Sequence, residues 1–226
     1  MGALMQLSEK DLKKPLRTLE WAAIMWYMVD ALTHFVLEGS YLYLAMGTTA
    51  AHPDAAMPWA IVWREYGKAD KRWAGRDANV IALEFLTVFG AGPICLLLIY
   101  GIWYKKPWRH VLQVILCTAE LYGGWMTFCP EWVEGSPNLV TDDPVYLWIY
   151  LVFMNGLWVW VPILLLVDSC LVITRACAET RSELTTERAE QRSNFGVTII
   201  VSIVVYSILV PAVLMVKGGS NVPAQS

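Results

Sequence analysis

Charge is scarce in this chain: Asp, Glu, Lys and Arg make up 16% of its 226 residues, against 57% that are hydrophobic. A water-soluble domain of this size exposes far more charge, so the balance points to a polytopic membrane protein. The net charge of −3 discriminates little, and nothing in the chain points to nucleic acid as a partner. Cysteine is sparse and unpatterned. Cys95, Cys117, Cys129, Cys170 and Cys177 show no CxxC spacing and fall mostly in apolar stretches, so neither a disulfide framework nor a zinc site is expected. There is no GxSxG, hence no sign of a nucleophile elbow. No secretory signal is expected, because the first 17 residues are polar, with Lys10, Lys13, Lys14 and Arg17. Gln6 stands where N-myristoylation wants Ser or Thr. No repeat or broken helix pair of the transporter kind is evident.

What the chain does have is long apolar runs. A span needs about 20 mostly apolar residues, and five stretches qualify: 21–46, 80–104, 108–128, 145–167 and 195–216. The expected fold is therefore all-α, a five-helix transmembrane bundle with an intramembrane ligand cavity. The expected organisation is a polar segment 1–17, a four-helix core 18–175, a charged interfacial segment 176–193, a fifth helix 194–217 and a tail 218–226. The segment from Arg175 to Arg192 alternates charges as a solvated or interfacial helix would. The N-terminus, the turn at Lys105, Lys106 and Arg109, and the Arg175–Arg192 link together hold 11 of the 17 basic residues. The positive-inside rule then places the N-terminus in the cytosol and the C-terminus on the lumenal side. The acidic stretch 130–144 suits the lumenal side. Trp59, Trp63, Trp73, Trp108 and Trp132 are expected in the interfacial belt.

The spans are not uniformly apolar. Asp30, His34 and Glu38 recur every fourth residue and form one stripe of a helix. Glu84 and Thr87 share a face of the second span, Glu120 and Tyr122 lie in the third, and Asn155 and Trp158 share a face of the fourth. Because successive helices reverse direction, His34–Glu38, Glu84–Thr87 and Asn155–Trp158 can meet in the lumenal half of the bilayer. An ionisable side chain there costs about 2.5–3.5 kcal/mol on insertion scales. Interhelical hydrogen bonding that fixes the bundle is one explanation, and chemistry is the other. A carboxylic acid beside a carboxylate makes an acid–base pair, His34 can hold or relay the proton, and Trp158 offers a π face to a developing cation. This set suits moving a carbon–carbon double bond of a lipid-soluble molecule through a carbocation. A metal site at His34, Glu38 and Glu84 is the less favoured alternative, since the other histidines, His52 and His110, lie outside the cluster.

The segments HFVLEG, WREYGKADKRW, ALEFLTVFGAGP, ELYGG and YLVFMNGLW resemble, in order and spacing, the emopamil-binding protein family, which includes the sterol Δ8-Δ7 isomerases. The resemblance covers about residues 33–168. It implies a bundle in the endoplasmic reticulum membrane, a cavity open to lipid, a sterol 8-ene substrate and no cofactor. By the same resemblance, His34 and Glu38 deliver a proton to the alkene and Glu84 removes one from the neighbouring carbon. Thr87 and Asn155 position the carboxyl groups, and Trp158 steadies the cation. Asp30, Tyr41, Glu120, Tyr122 and Met154 are expected to contact the substrate. Partners are the sterol or terpenoid substrate, membrane lipid and, in keeping with either reading, a second copy in a homodimer. The chain departs from the family pattern in three places. It carries the span 195–216 instead of one preceding the His/Glu helix, and that last helix is expected to occupy the place of the missing one. Gly124 stands where an Asp is expected, and Asp30 where a small or apolar residue is expected. A specialised isomerase or cyclase of another terpenoid or polyketide lipid, and a non-enzymatic binder of lipids or cationic amines, both stay open.

Overall fold

The computed structural model describes residues 15–47, 49–52 and 57–184. The expected fifth span at 195–216 lies outside the described residues. The described chain is helical, and the only β pairing within it is an isolated bridge between Asp70 and Leu139.

The first helix, α1, covers Thr18–Leu32. Its first turn is closed by Glu20, whose carboxylate accepts the Arg17 N–H at 2.7 Å; an acid there also suits the helix dipole. A π-helical stretch, Thr33–Glu38, continues it into α2, Gly39–Met46. A short helix, α3 (Pro58–Tyr66), starts with Pro58 in its first turn, where the missing N–H costs nothing. A 3₁₀ turn follows at Lys71–Trp73. Helix α4 (Ala78–Leu86) is capped by Asp77, which accepts the Val80 N–H at 2.9 Å. A second π stretch, Thr87–Ala91, leads into α5, Gly92–Trp103. Helix α6 runs Arg109–Val133, and a third π stretch, Tyr146–Met154, precedes α7, Asn155–Leu184. No break separates α7 from the charged segment, since the helix passes through Arg175 as far as Leu184.

Three of these helical runs are long and apolar enough to cross a membrane: Ala78–Trp103, Arg109–Val133 and Tyr146–Thr180. The first expected span is helical throughout, but Asp30, His34 and Glu38 dilute its apolar character. Helices α1 and α5 pack together, as do α6 and α7, and the first two π stretches touch.

Two apolar clusters flank the polar stripe. One, toward the expected cytosolic side, joins Ala23, Ile24 and Tyr27 to Leu98, Ile102, Leu116 and Leu165. The other is aromatic and joins Tyr41 to Trp63 and Trp73, whose rings stack at 4.9 Å. Trp63 and Trp73 therefore belong to the core and not to the interfacial belt; Trp59 and Trp108 are exposed. Each end of the bundle is tied by charge. At one end Arg17 pairs with Asp168 at 3.3 Å and Arg109 with Glu20. At the other, the Arg72 guanidinium donates to both oxygens of buried Asp70 (2.9 and 2.6 Å) and to the Thr127 carbonyl (2.7 Å). Glu131, from the acidic stretch 130–144, is buried in the last turns of α6, accepting from Asn138 and facing Arg72 at 3.6 Å.

Candidate functional site

His34 and Glu38 sit on the first π stretch, where Nδ1 of the imidazole lies 2.6 Å from Glu38 Oε2. His34 is 1% exposed. Its other nitrogen, Nε2, lies 3.2 Å from Asp30 Oδ1, an ion-pair separation without the alignment of a hydrogen bond. The imidazole is thus held between two carboxyl groups, one a turn before it and one a turn after.

Glu84 comes from α4 and is also buried. The Thr87 hydroxyl donates to Glu84 Oε2 at 2.8 Å. Because the two π stretches touch, Glu38 lies close enough to Glu84 and Thr87 for their polar groups to act on one another. Two carboxyl groups from different helices therefore meet with a histidine behind one and a threonine behind the other. π turns recur at functional positions because their wider bond pattern re-aims side chains. Here His34, Glu38 and Thr87 all stand on such turns.

Asp30 forms a second hub. Its Oδ1 accepts the Trp158 indole N–H at 2.8 Å, and its Oδ2 accepts the Cys95 thiol at 3.2 Å. Glu120 of α6 reaches the same carboxyl. Both oxygens of Glu120 are buried beyond reach of any N–H or hydroxyl donor among the described residues. Asp30, His34 and Cys95 bring three atoms capable of holding a metal within 4.8 Å of one another, and the contacts just described already connect them.

Other candidate residues stand elsewhere. Asn155 does not reach the carboxyl groups. Its amide nitrogen lies 2.9 Å from the Tyr66 hydroxyl and 2.9 and 3.0 Å from the carbonyls of Tyr150 and Leu151, so it ties the third π stretch to α3. Burial pushes the Tyr66 phenol above its ordinary range, leaving a neutral hydroxyl to accept that bond. Tyr41 packs its ring on Trp63 and Trp73 at 5.6 and 5.0 Å, inside the aromatic core. Tyr122 is 63% exposed and Met154 41%, and neither makes a side-chain hydrogen bond to the polar set among the described residues. Asp30 is 0% exposed, with protein groups at its carboxyl. Cys95, which spacing left as a small hydrophobe, is part of the hub, and no signal in its apolar run distinguishes it. Trp158 packs on Trp26 at 5.4 Å. Trp26 in turn borders an open apolar cleft of about 380 Å³ between α1 and α7, lined also by Leu19, Met25, Val29 and Val161.

The profile of the EXPERA family, the expanded EBP superfamily, matches residues 58–169. The 3-beta-hydroxysteroid-Delta(8),Delta(7)-isomerase of Cavia porcellus is 32% identical over 163 residues, covering 72% of this chain and 69% of the relative. A probable enzyme of the same name from Arabidopsis thaliana is 33% identical, over 65% of this chain and 64% of the relative. The protoglabretal synthase of Ailanthus altissima is 29% identical over 78% of each chain. With the matched residues spanning the helices that carry Glu84, Glu120 and Trp158, the chain belongs to the EXPERA family.

Proposed function

We propose that this protein is an intramembrane isomerase that shifts a carbon–carbon double bond in a sterol-like lipid from the 8-ene to the 7-ene position. The observation that carries the reading is the meeting of Glu38 and Glu84, from different helices, with His34 at 2.6 Å from the first and Thr87 at 2.8 Å from the second. The family membership and the names of the relatives support it.

In this reading the His34–Glu38 pair gives a proton to carbon 9, the 8,9 π electrons form the new C–H bond, and a cation remains at carbon 8. Glu84 takes a proton from carbon 7, and the electrons of that C–H bond close the 7,8 double bond. One proton enters and one leaves, so the step needs no oxidant and no cofactor. Because Glu38 and Glu84 are in contact, the proton gained by one is next to the group that gave one up. Thr87 holds the Glu84 carboxyl in place, and Trp158 turns a π face to the cation. A low-dielectric surrounding strengthens each of these interactions. The apolar cleft beside Trp26 offers a lipid-soluble substrate an approach that avoids water. The site belongs, on this reading, to a five-span bundle of the endoplasmic reticulum membrane with a cytosolic N-terminus.

A related substrate is the second reading. Asp30 and Gly124 depart from the family pattern, and relatives of similar identity include an isomeliandiol synthase of Melia azedarach at 28%. Incubation of the purified protein with an 8-ene sterol in deuterated water tests the first reading. Turnover with deuterium at the carbon next to the migrated double bond is the expected result. Neither turnover nor label with the sterol, but both with another terpenoid alkene, would establish the second. Absence of both with every alkene, alongside retained binding of a cationic amphiphilic amine, would leave a binding protein and end the isomerase reading.

A further inference from the structure

The proton transfers above make no use of Asp30, yet it is among the most enclosed charged residues described, at 0% exposure. Four helices meet at its carboxyl: its own α1, α5 through Cys95, α6 through Glu120 and α7 through Trp158, which lies 128 residues away. A buried carboxyl is a poor way to hold helices together, since apolar packing of the same volume often does so equally well. Its partners are more telling than its stability. One is the ring that stands behind the acid, and another is the aromatic residue assigned to the cation.

We propose that Asp30 is a positioning residue, setting the His34 ring on one side and the Trp158 indole on the other. The proposal rests on the isomerase reading. With Nδ1 on Glu38 at 2.6 Å and Nε2 facing Asp30 at 3.2 Å, the imidazole has a carboxyl at each nitrogen. A flipped ring would turn carbon atoms toward both, so a single orientation presents nitrogen to Glu38. Trp158 is fixed by its edge. The indole N–H on Asp30 Oδ1 at 2.8 Å prevents rotation about its side-chain bonds and keeps the ring face directed at one place. Cys95 donates to the opposite oxygen at 3.2 Å and stops the carboxyl itself from turning. The acid and the aromatic face are thereby coupled through one residue that need not touch substrate.

The test compares wild type, Asp30→Asn, Trp158→Phe and the double variant in lipid nanodiscs. Trp158→Phe keeps an aromatic face, though a smaller one, and removes the N–H. Each single change is expected to lower kcat by about ten- to a hundredfold, with KM for an 8-ene sterol held within about twofold. The double variant should lose no more than the worse single one, because both weaken the same contact, one by removing the carboxylate charge and the other by removing the N–H. In addition, ¹⁵N signals of the His34 ring, assigned by their loss in His34→Gln, should move in Asp30→Asn. Unchanged kcat in Asp30→Asn, losses that multiply in the double variant, or a parallel rise in KM would overturn the proposal. Should Asp30→Asn not fold, an unchanged kcat in Trp158→Phe does the same. If wild type itself turns over no alkene, the isomerase reading fails separately. The His34 signals then decide alone whether Asp30 sets the ring: moved signals uphold it and unmoved signals reject it.

Discussion

At the level of single residues, the arrangement assigns unequal duties to three acids. Glu38 has a histidine at 2.6 Å, Glu84 has a threonine hydroxyl at 2.8 Å and the Glu38 carboxyl beside it, and Asp30 has an indole N–H and a thiol. Of the three, Glu84 is the one with no nitrogen donor on it, which suits the proton-accepting role that the isomerase reading gives it. Glu84→Gln keeps the volume and removes the basicity, so turnover should fall by about 10²–10⁴-fold. Binding of a cationic amine should be largely retained, as measured by displacement of a labelled ligand. Turnover close to wild type would remove Glu84 from the role of base. The contact of His34 with Glu38 was legible from spacing, because residues four apart share a helix face. The ties of Asp30 to Cys95 and Trp158 were not, since they join residues 65 and 128 positions apart and Cys95 lies within an unbroken apolar run. Asn155 shows the converse. It shares a face with Trp158 in sequence, yet its amide turns to Tyr66 and to its own helix.

At the level of elements, apolar length located the helices well. The expected second and third spans correspond to Ala78–Trp103 and Arg109–Val133. What remained hidden was the π geometry, since composition does not distinguish i→i+4 from i→i+5 backbone pairing. The segment WREYGKADKRW was legible as a family motif, but its physical role emerges only when folded. Trp63, Tyr66 and Trp73 form one aromatic group, and Asp70 and Arg72 form one buried ion pair. Gly67 lets the chain double back between them. A Cβ there would stand 2.5 Å from the Ala74 Cβ and 2.9 Å from the Trp63 carbonyl, neither of which is a flexible tip. Gly67→Ala should therefore destabilise the fold by about 1–3 kcal/mol. A lowered Tm in detergent, with loss of the Tyr66–Asn155 tie, is the outcome to look for. An unchanged Tm would mean that α3 shifts freely, against the packing described.

At the level of the whole molecule, charge separates the two ends. Arg17, Glu20, Arg109 and Asp168 gather at one end, and Asp70, Arg72 and Glu131 lock the other. The surplus of Lys and Arg on the first side predicts that it faces the cytosol. Cys177, exposed on α7, offers a native probe of that side. In sealed microsomes an impermeant maleimide should label Cys177 from outside, whereas Asp142→Cys should react only after permeabilisation. The opposite pattern would invert the topology. Between these ends, the π stretch at Thr33–Glu38 has a consequence of its own. A wide turn holds roughly one residue more than an α turn, so the helical phase of Gly39–Met46 is offset from that of Thr18–Leu32. Rewinding this turn as plain α helix with every residue kept would rotate the aromatic end by roughly 100° while leaving Asp30 where it is. The wide turn thus works as a swivel joint, allowing the acidic half and the aromatic half of one rod to be aimed independently.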